Sequence, residues 1–80
     1  MSETYVLVSK RTGRFYVGSS RDSAAGRLDA HNAGKTKSTR FGRPWELLLV
    51  ETFATYTEAR KRELFLKSGV GRKWVKNLGK

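Results

Sequence analysis

The chain has 80 residues, 38% hydrophobic and 30% charged, enough for one modest core and too few for a second, so residues 1–80 read as a single domain. With no cysteine and one histidine it excludes disulfides, thiolate zinc sites, iron–sulfur clusters, cysteine nucleophiles and a multi-histidine metal cage. Lys and Arg total 17 against 7 acids, and the resulting +10 charge suits a polyanionic partner, of which nucleic acid is the commonest in cells.

Met1-Ser2-Glu3-Thr4 lacks both the charged and the apolar part of a leader, and no apolar run approaches membrane-spanning length. No segment pairs a basic face with a continuous aromatic and leucine face, so membrane attachment is not expected and a cytoplasmic location is. Tyr5-Val6-Leu7-Val8 is a run of strand formers, followed by the polar, glycine-ended Lys10-Arg11-Thr12-Gly13 and a second run, Phe15-Tyr16-Val17. The pattern predicts a β-hairpin.

Gly18 to Ser23 is turn chemistry with several N-cap candidates, Asp22 among them, and a short helix is predicted from about Ala24 to Ala33, ending before Gly34. Lys35 to Arg43 is polar and basic, with no acid. Pro44 resets the backbone, and Trp45 through Phe53 reads as a buried strand around Leu47-Leu48-Leu49-Val50. Thr55 and Glu58 have capping-box spacing, which starts a helix from about Tyr56 to Ser68, closed by Gly69. Gly71 to Leu78 reads as a last helix packed through Trp74, Val75 and Leu78. The order β-β-α-β-α-α defines an α+β domain with a small sheet.

Several residues carry chemistry. On a helical wheel Glu63 sits beside Ala59 and Leu66, near the packed side, where an unpaired carboxylate is costly; it calls for a cation, a metal or a tyrosine hydroxyl. The alternative is a solvated face on which Glu63 pairs with Arg60 and Lys67. Arg27 and His31 share one face of the first helix, a combination suited to a phosphate, or else they are a surface arginine and a partly buried histidine. Tyr5 and Tyr16 lie on the two hairpin strands, as core rings with hydroxyls at the rim or as bases activated by nearby cations. Gly18 follows Tyr16-Val17 where the backbone can turn sharply or approach a ligand. There is no Walker sequence, no dinucleotide-binding fingerprint and no nucleophile elbow.

Tyr16-Val17-Gly18-Ser19, with Tyr5 eleven residues earlier, resembles the paired signature of the GIY-YIG nuclease superfamily. Glu3-Thr4-Tyr5 keeps only the tyrosine of the first half. Arg27 through Gly34 resembles the next motif, an arginine with a histidine one turn later. Glu63 matches the helical metal-binding glutamate, and Asn77 a late asparagine. The resemblance spans essentially the whole chain, is closest to the small stand-alone, URI-type branch, and implies a three-stranded antiparallel sheet flanked by helices.

It further implies that Tyr5, Tyr16, Arg27, His31 and Glu63 gather on one side of the sheet around one divalent ion, magnesium or manganese, held by Glu63, to hydrolyse a DNA phosphodiester. Either tyrosine serves as base, with the other as helper. His31 positions the base or shuttles its proton, and Arg27 balances charge on the phosphate. Lys35, Lys37, Arg40, Arg43, Arg72, Lys73, Lys76 and Asn77 are candidates for holding flanking nucleic acid, in a salt-sensitive and sequence-blind way. Trp45 and Trp74 are assigned to the core rather than to base stacking.

The expected activity is a metal-dependent endonuclease of low sequence specificity on single-stranded or branched DNA, RNA not being excluded, acting as a monomer or weak homodimer. The alternatives are a non-catalytic nucleic-acid-binding module on the same scaffold and a small basic subunit of a larger assembly.

Overall fold

The computed structural model describes residues 1–78; the last two residues of the expected 1–80 domain lie outside the described residues. Its elements in order are β1 (Ser2–Ser9), β2 (Phe15–Ser20), α1 (Ala24–Asn32), a 3-10 turn (Arg40–Gly42), β3 (Trp45–Phe53), α2 (Tyr56–Lys67) and α3 (Gly69–Leu78). The three strands form an antiparallel sheet in the order β2-β1-β3, the α+β arrangement expected. Among the described residues no helix is long and apolar enough to cross a membrane.

β1 extends beyond its apolar run because it is the central strand, paired on both sides along most of its length. Its alternation sends side chains to two faces. Tyr5 and Leu7 pack with Ala24, Trp45 and Leu28 on the α1 face, whereas Val6 joins Val17, Leu66 and Val75 under α2 and α3. The hairpin turn uses Gly13 at φ 76°, a left-handed conformation that suits glycine. Ser9 Oγ accepts from the Arg11 and Thr12 amides and donates to the Gly42 carbonyl at 2.6 Å, so the turn is tied to the connection ahead of β3.

Ser23, not Asp22, caps α1: its hydroxyl accepts from the Gly26 amide at 3.1 Å. Glu3 Oε1 accepts from the Ala24 amide at 2.7 Å and fastens the same helix end to β1. The connection after α1 is anchored by Trp45, whose indole N–H donates to the Thr39 carbonyl at 2.8 Å. β3 carries a bulge: Val6 faces Leu49 and Leu7 faces Leu47, leaving Leu48 extra. Leu48 and Leu49 consequently pack against the same core cluster.

Thr55 caps α2 by accepting from the Glu58 amide, as its spacing predicts. At the other end Ser68 is the cap and α3 starts at once from Gly69, two residues earlier than read from sequence. The buried positions of α3 are Gly71 and Val75, one turn apart. Trp45 is in the core as expected, but Trp74 is 39% exposed, with Arg62 over its ring at 5.2 Å. Three apolar positions on a short helix did not fix which of them turns inward.

Candidate active site

Pairing of β1 with β2 sets Tyr5 opposite Gly18. A Cβ at Gly18 would lie 2.5 Å from the Tyr5 hydroxyl oxygen, so the missing side chain is the space the phenol occupies. Gly18 therefore neither turns the chain nor has a left-handed φ: it is inside β2, and among the described residues positive φ is confined to Gly13 and Gly34.

Tyr5 is 1% exposed, and its hydroxyl lies 3.2 Å from His31 Nε2. His31 Nδ1 lies 2.7 Å from Thr39 Oγ1, and that hydroxyl donates to the Thr36 carbonyl at 3.3 Å. With its one proton committed there, Thr39 accepts from Nδ1–H, and Nε2 is left to accept from Tyr5. Burial, reinforced by the Arg27 charge, pushes the imidazole pKa down and keeps the ring neutral. His31 is fully buried, so a direct contact with a phosphate is excluded; its link outward is the Tyr5 hydroxyl.

Tyr16 is half-buried beside this pair. Its ring centroid is 6.5 Å from that of Tyr5, and the ring stands edge-on to His31 at 4.8 Å. Burial pushes both phenols above their ordinary value. Glu63 adds to the shift of Tyr16, and the Arg27 charge opposes it; at Tyr5, hydrogen bonding to Arg27 opposes the rise while Tyr16 and Glu63 add to it. Arg27 is itself exposed, one helical turn before His31, and its guanidinium faces the Tyr5 hydroxyl.

Glu63 comes from α2 on the other face of the sheet, which corrects the expectation that all five residues lie on one side, and it touches the outer strand β2 through Ser19. It is buried, at 5% exposure. Ser19 donates to its Oε1, while Lys67 at 2.6 Å and Arg60 at 2.7 Å both meet Oε2. The pairing with Arg60 and Lys67 is real, but the face is not solvated: the acid is covered and the cations are exposed. Burial alone would raise the carboxyl pKa; the bonds from Lys67, Ser19 and Arg60 outweigh it and hold the group ionised below its ordinary range. The Tyr56 hydroxyl lies 3.4 Å from the same Ser19 oxygen, and the Arg21 guanidinium sits over the Tyr56 ring at 4.2 Å.

The structure thus brings Tyr5, Tyr16, His31 and Arg27 together on the α1 face, and places Glu63 on the α2 face against the same outer strand. The other basic residues scatter. Lys35 and Lys37 are exposed on the connection after α1; Arg40 and Arg43 line a depression beside Arg11 and Phe41. Arg72 and Lys76 line a groove shared with Tyr16 and Lys67, whereas Lys73 and Asn77, exposed on the same helix, do not line it. Sequence reading passed over Ser19, Thr39 and Tyr56 as members of the site. Tyr56 was detectable, because seven residues before Glu63 is the same helical face. Ser19 and Thr39 act through contacts distant in sequence and carry no local signal.

Among the described residues no three His, Asp or Glu side chains come together as a metal cage. Glu63 alone, ionised and balanced by exposed cations, fits a hydrated magnesium-type ion, which takes one or two carboxylates and completes its shell with water and substrate phosphate. Its Oε2 partners are exposed side chains that can swing aside, at 50% and 45% exposure, so the carboxylate is available for exchange.

The family model described as the GIY-YIG catalytic domain matches residues 1–77. UPF0213 proteins from two strains of Staphylococcus epidermidis are each 40% identical to the chain over 70 residues, which is 85% of this chain and 84% of theirs. No solved structure matches it. The match runs from the first strand into the last helix and takes in both tyrosines, the arginine and the helical glutamate: the chain belongs to the GIY-YIG nuclease family.

Proposed function

We propose that the protein is a divalent-metal-dependent endonuclease that hydrolyses DNA phosphodiesters with little sequence specificity, preferring single-stranded or branched substrates. The observation that carries this reading is the match to the GIY-YIG catalytic domain over residues 1–77; the two phenols beside Arg27 and the ionised Glu63 on the far side of β2 support it. When bound at Glu63, magnesium or manganese would supply positive charge to the scissile phosphate and to the departing 3′ oxygen. Arg27, exposed and fully charged, balances the growing charge on the non-bridging oxygens.

Tyr16 is the base in this reading. Tyr5 is covered and its hydroxyl is committed to His31, whereas Tyr16 is only half-buried and lines the groove beside α3. Tyr5 and His31 act as positioning residues, holding the aromatic wall against which Tyr16 lies. Because burial raises the Tyr16 pKa, the phenolate is scarce at neutral pH, so the rate should climb about tenfold per pH unit from neutrality into the alkaline range.

Incubation with single-stranded, branched and duplex DNA tests the proposal, with magnesium or manganese against EDTA. Cleavage that stops with EDTA, stops in Arg27→Ala and shows the alkaline rise supports it; metal-independent cleavage or full activity of Arg27→Ala overturns it. A second reading is favoured by the engagement of Glu63 Oε2 with two cations: a scaffold that grips nucleic acid without cutting it. It requires tight, salt-dependent binding with no product, and metal-dependent product rules it out.

A further inference from the structure

A groove of 590 Å³ opens between the β1–β2 turn and α3. Its floor is apolar, formed by Phe15, Val17, Leu66 and Val75. Its rim is cationic, formed by Arg14, Lys67, Arg72 and Lys76, and no acidic residue lines it. Two lining residues link it to the catalytic groups: Tyr16, and Lys67, whose ammonium lies on Glu63.

Three features narrow the occupant. The volume falls in the range of small-ligand sites, and a single nucleotide fits it. An apolar floor containing a half-buried phenylalanine rewards a flat, weakly hydrated body, and a nucleobase is one. Three rim cations, Arg14, Arg72 and Lys76, match the charged phosphates on either side of such a base, while Lys67 is held by Glu63. A paired base offers its neighbours, not the groove, its faces, so only an unpaired base can reach the floor.

We propose that this groove seats one unpaired base of the strand being cut, adjacent to the scissile phosphate, with Arg14, Arg72 and Lys76 on its flanking phosphates. This inference rests on the endonuclease reading and deepens it. A base held in a groove lined by Tyr16 and Lys67 keeps the neighbouring phosphate close to those two residues, and the preference for single-stranded or branched DNA follows from the requirement that the base be unstacked. Arg14 thereby joins Arg72 and Lys76 as a substrate contact, although sequence reading had not chosen it.

The test is amide NMR on the labelled full chain in EDTA, which prevents cutting, titrated with hexathymidylate and with a hexamer of abasic sugar-phosphates carrying the same charge. Hexathymidylate should shift the amides of Phe15, Val17 and Val75 and bind about tenfold more tightly than the abasic strand. Arg72→Glu with Lys76→Glu should weaken hexathymidylate binding by at least about tenfold and erase those shifts, while Lys61→Glu, exposed on α2 away from the groove, should leave the shifts in place. Equal binding of the abasic strand, or shifts confined to residues 35–43, overturns the proposal. Binding is read without turnover, so the two readings fail separately: groove shifts without cleavage in magnesium sink the endonuclease, and cleavage without groove shifts sinks the base seat.

Discussion

The two faces of the sheet hold their polar groups in opposite ways. On the α1 face, Tyr5, His31 and Thr39 form a chain of hydrogen bonds that is almost wholly excluded from solvent. On the α2 face, Glu63 is covered, but the cations that balance it are exposed lysine and arginine side chains. A buried network can change only if its packing changes, and an unsatisfied member is costly. Exposed ion pairs exchange partners at little cost. The first face therefore sets geometry, and the second is where an incoming ion or phosphate can displace what is already there.

The largest effect should come from Glu63→Gln. The amide keeps an acceptor for Ser19 and removes the charge. On the exchangeable face this should lower cleavage by about 10²–10³-fold, the range seen when an electrostatic contact to a transition state is lost. Stability should change little, because both cations that lose their partner stay exposed to solvent. Single-turnover rates and thermal melts measure both quantities. A loss of stability above about 3 kcal/mol would place Glu63 among the locked groups and erase the contrast between the faces.

Gly18→Ala probes the other face and should have a middle-sized effect. The new methyl would collide with the Tyr5 hydroxyl at 2.5 Å, and the ring cannot retreat without moving His31. Overpacking of this kind costs about 1–3 kcal/mol. Here stability and rate should fall together, unlike the Glu63 case. Gly69→Ala is the control, since a methyl at that position meets nothing within 4 Å. Denaturant unfolding of the pair separates a packing effect from a general effect of alanine on the chain.

This division was not legible in the sequence, which points to one side of the sheet for all five site residues, but its elements were. The run Tyr5-Val6-Leu7-Val8 announces a strand. Thr55 and Glu58 mark where α2 begins, and the wheel position of Glu63 shows a carboxylate turned toward packing. What stayed hidden depends on contacts far apart in sequence. Ser19 reaches Glu63 across 44 residues, and the space for Tyr5 is a glycine on the neighbouring strand. The bulge at Leu48 cannot be inferred from four consecutive apolar residues, because either alternation fits them. Trp74 was misplaced for a related reason: the buried line of α3 runs through Gly71 and Val75, and a glycine adds nothing to an apolar pattern.

The smallest expected effect is the dependence of stability on pH, and it separates the faces by their titration windows. His31 has a folded pKa below its ordinary value of about 6.5, so the unfolded chain binds the proton more readily. Its stabilising contribution is complete above about pH 6.5 and is lost as pH falls toward the folded value, with a slope of at most about 1.4 kcal/mol per pH unit. Glu63, also lowered, contributes stability above its unfolded value of about 4.5 and loses it only as pH falls further. The chain has one histidine, so the limb between about pH 6.5 and 5 belongs to the α1 face and the limb below it to the carboxylates. Urea unfolding across this range should show the upper limb in the unmodified protein and a flat line in His31→Gln, whatever the absolute stability of the variant. An upper limb that persists in His31→Gln would mean that the buried ring takes up its proton without strain, and that the chain from Tyr5 to Thr39 is as exchangeable as the ion pairs on the opposite side.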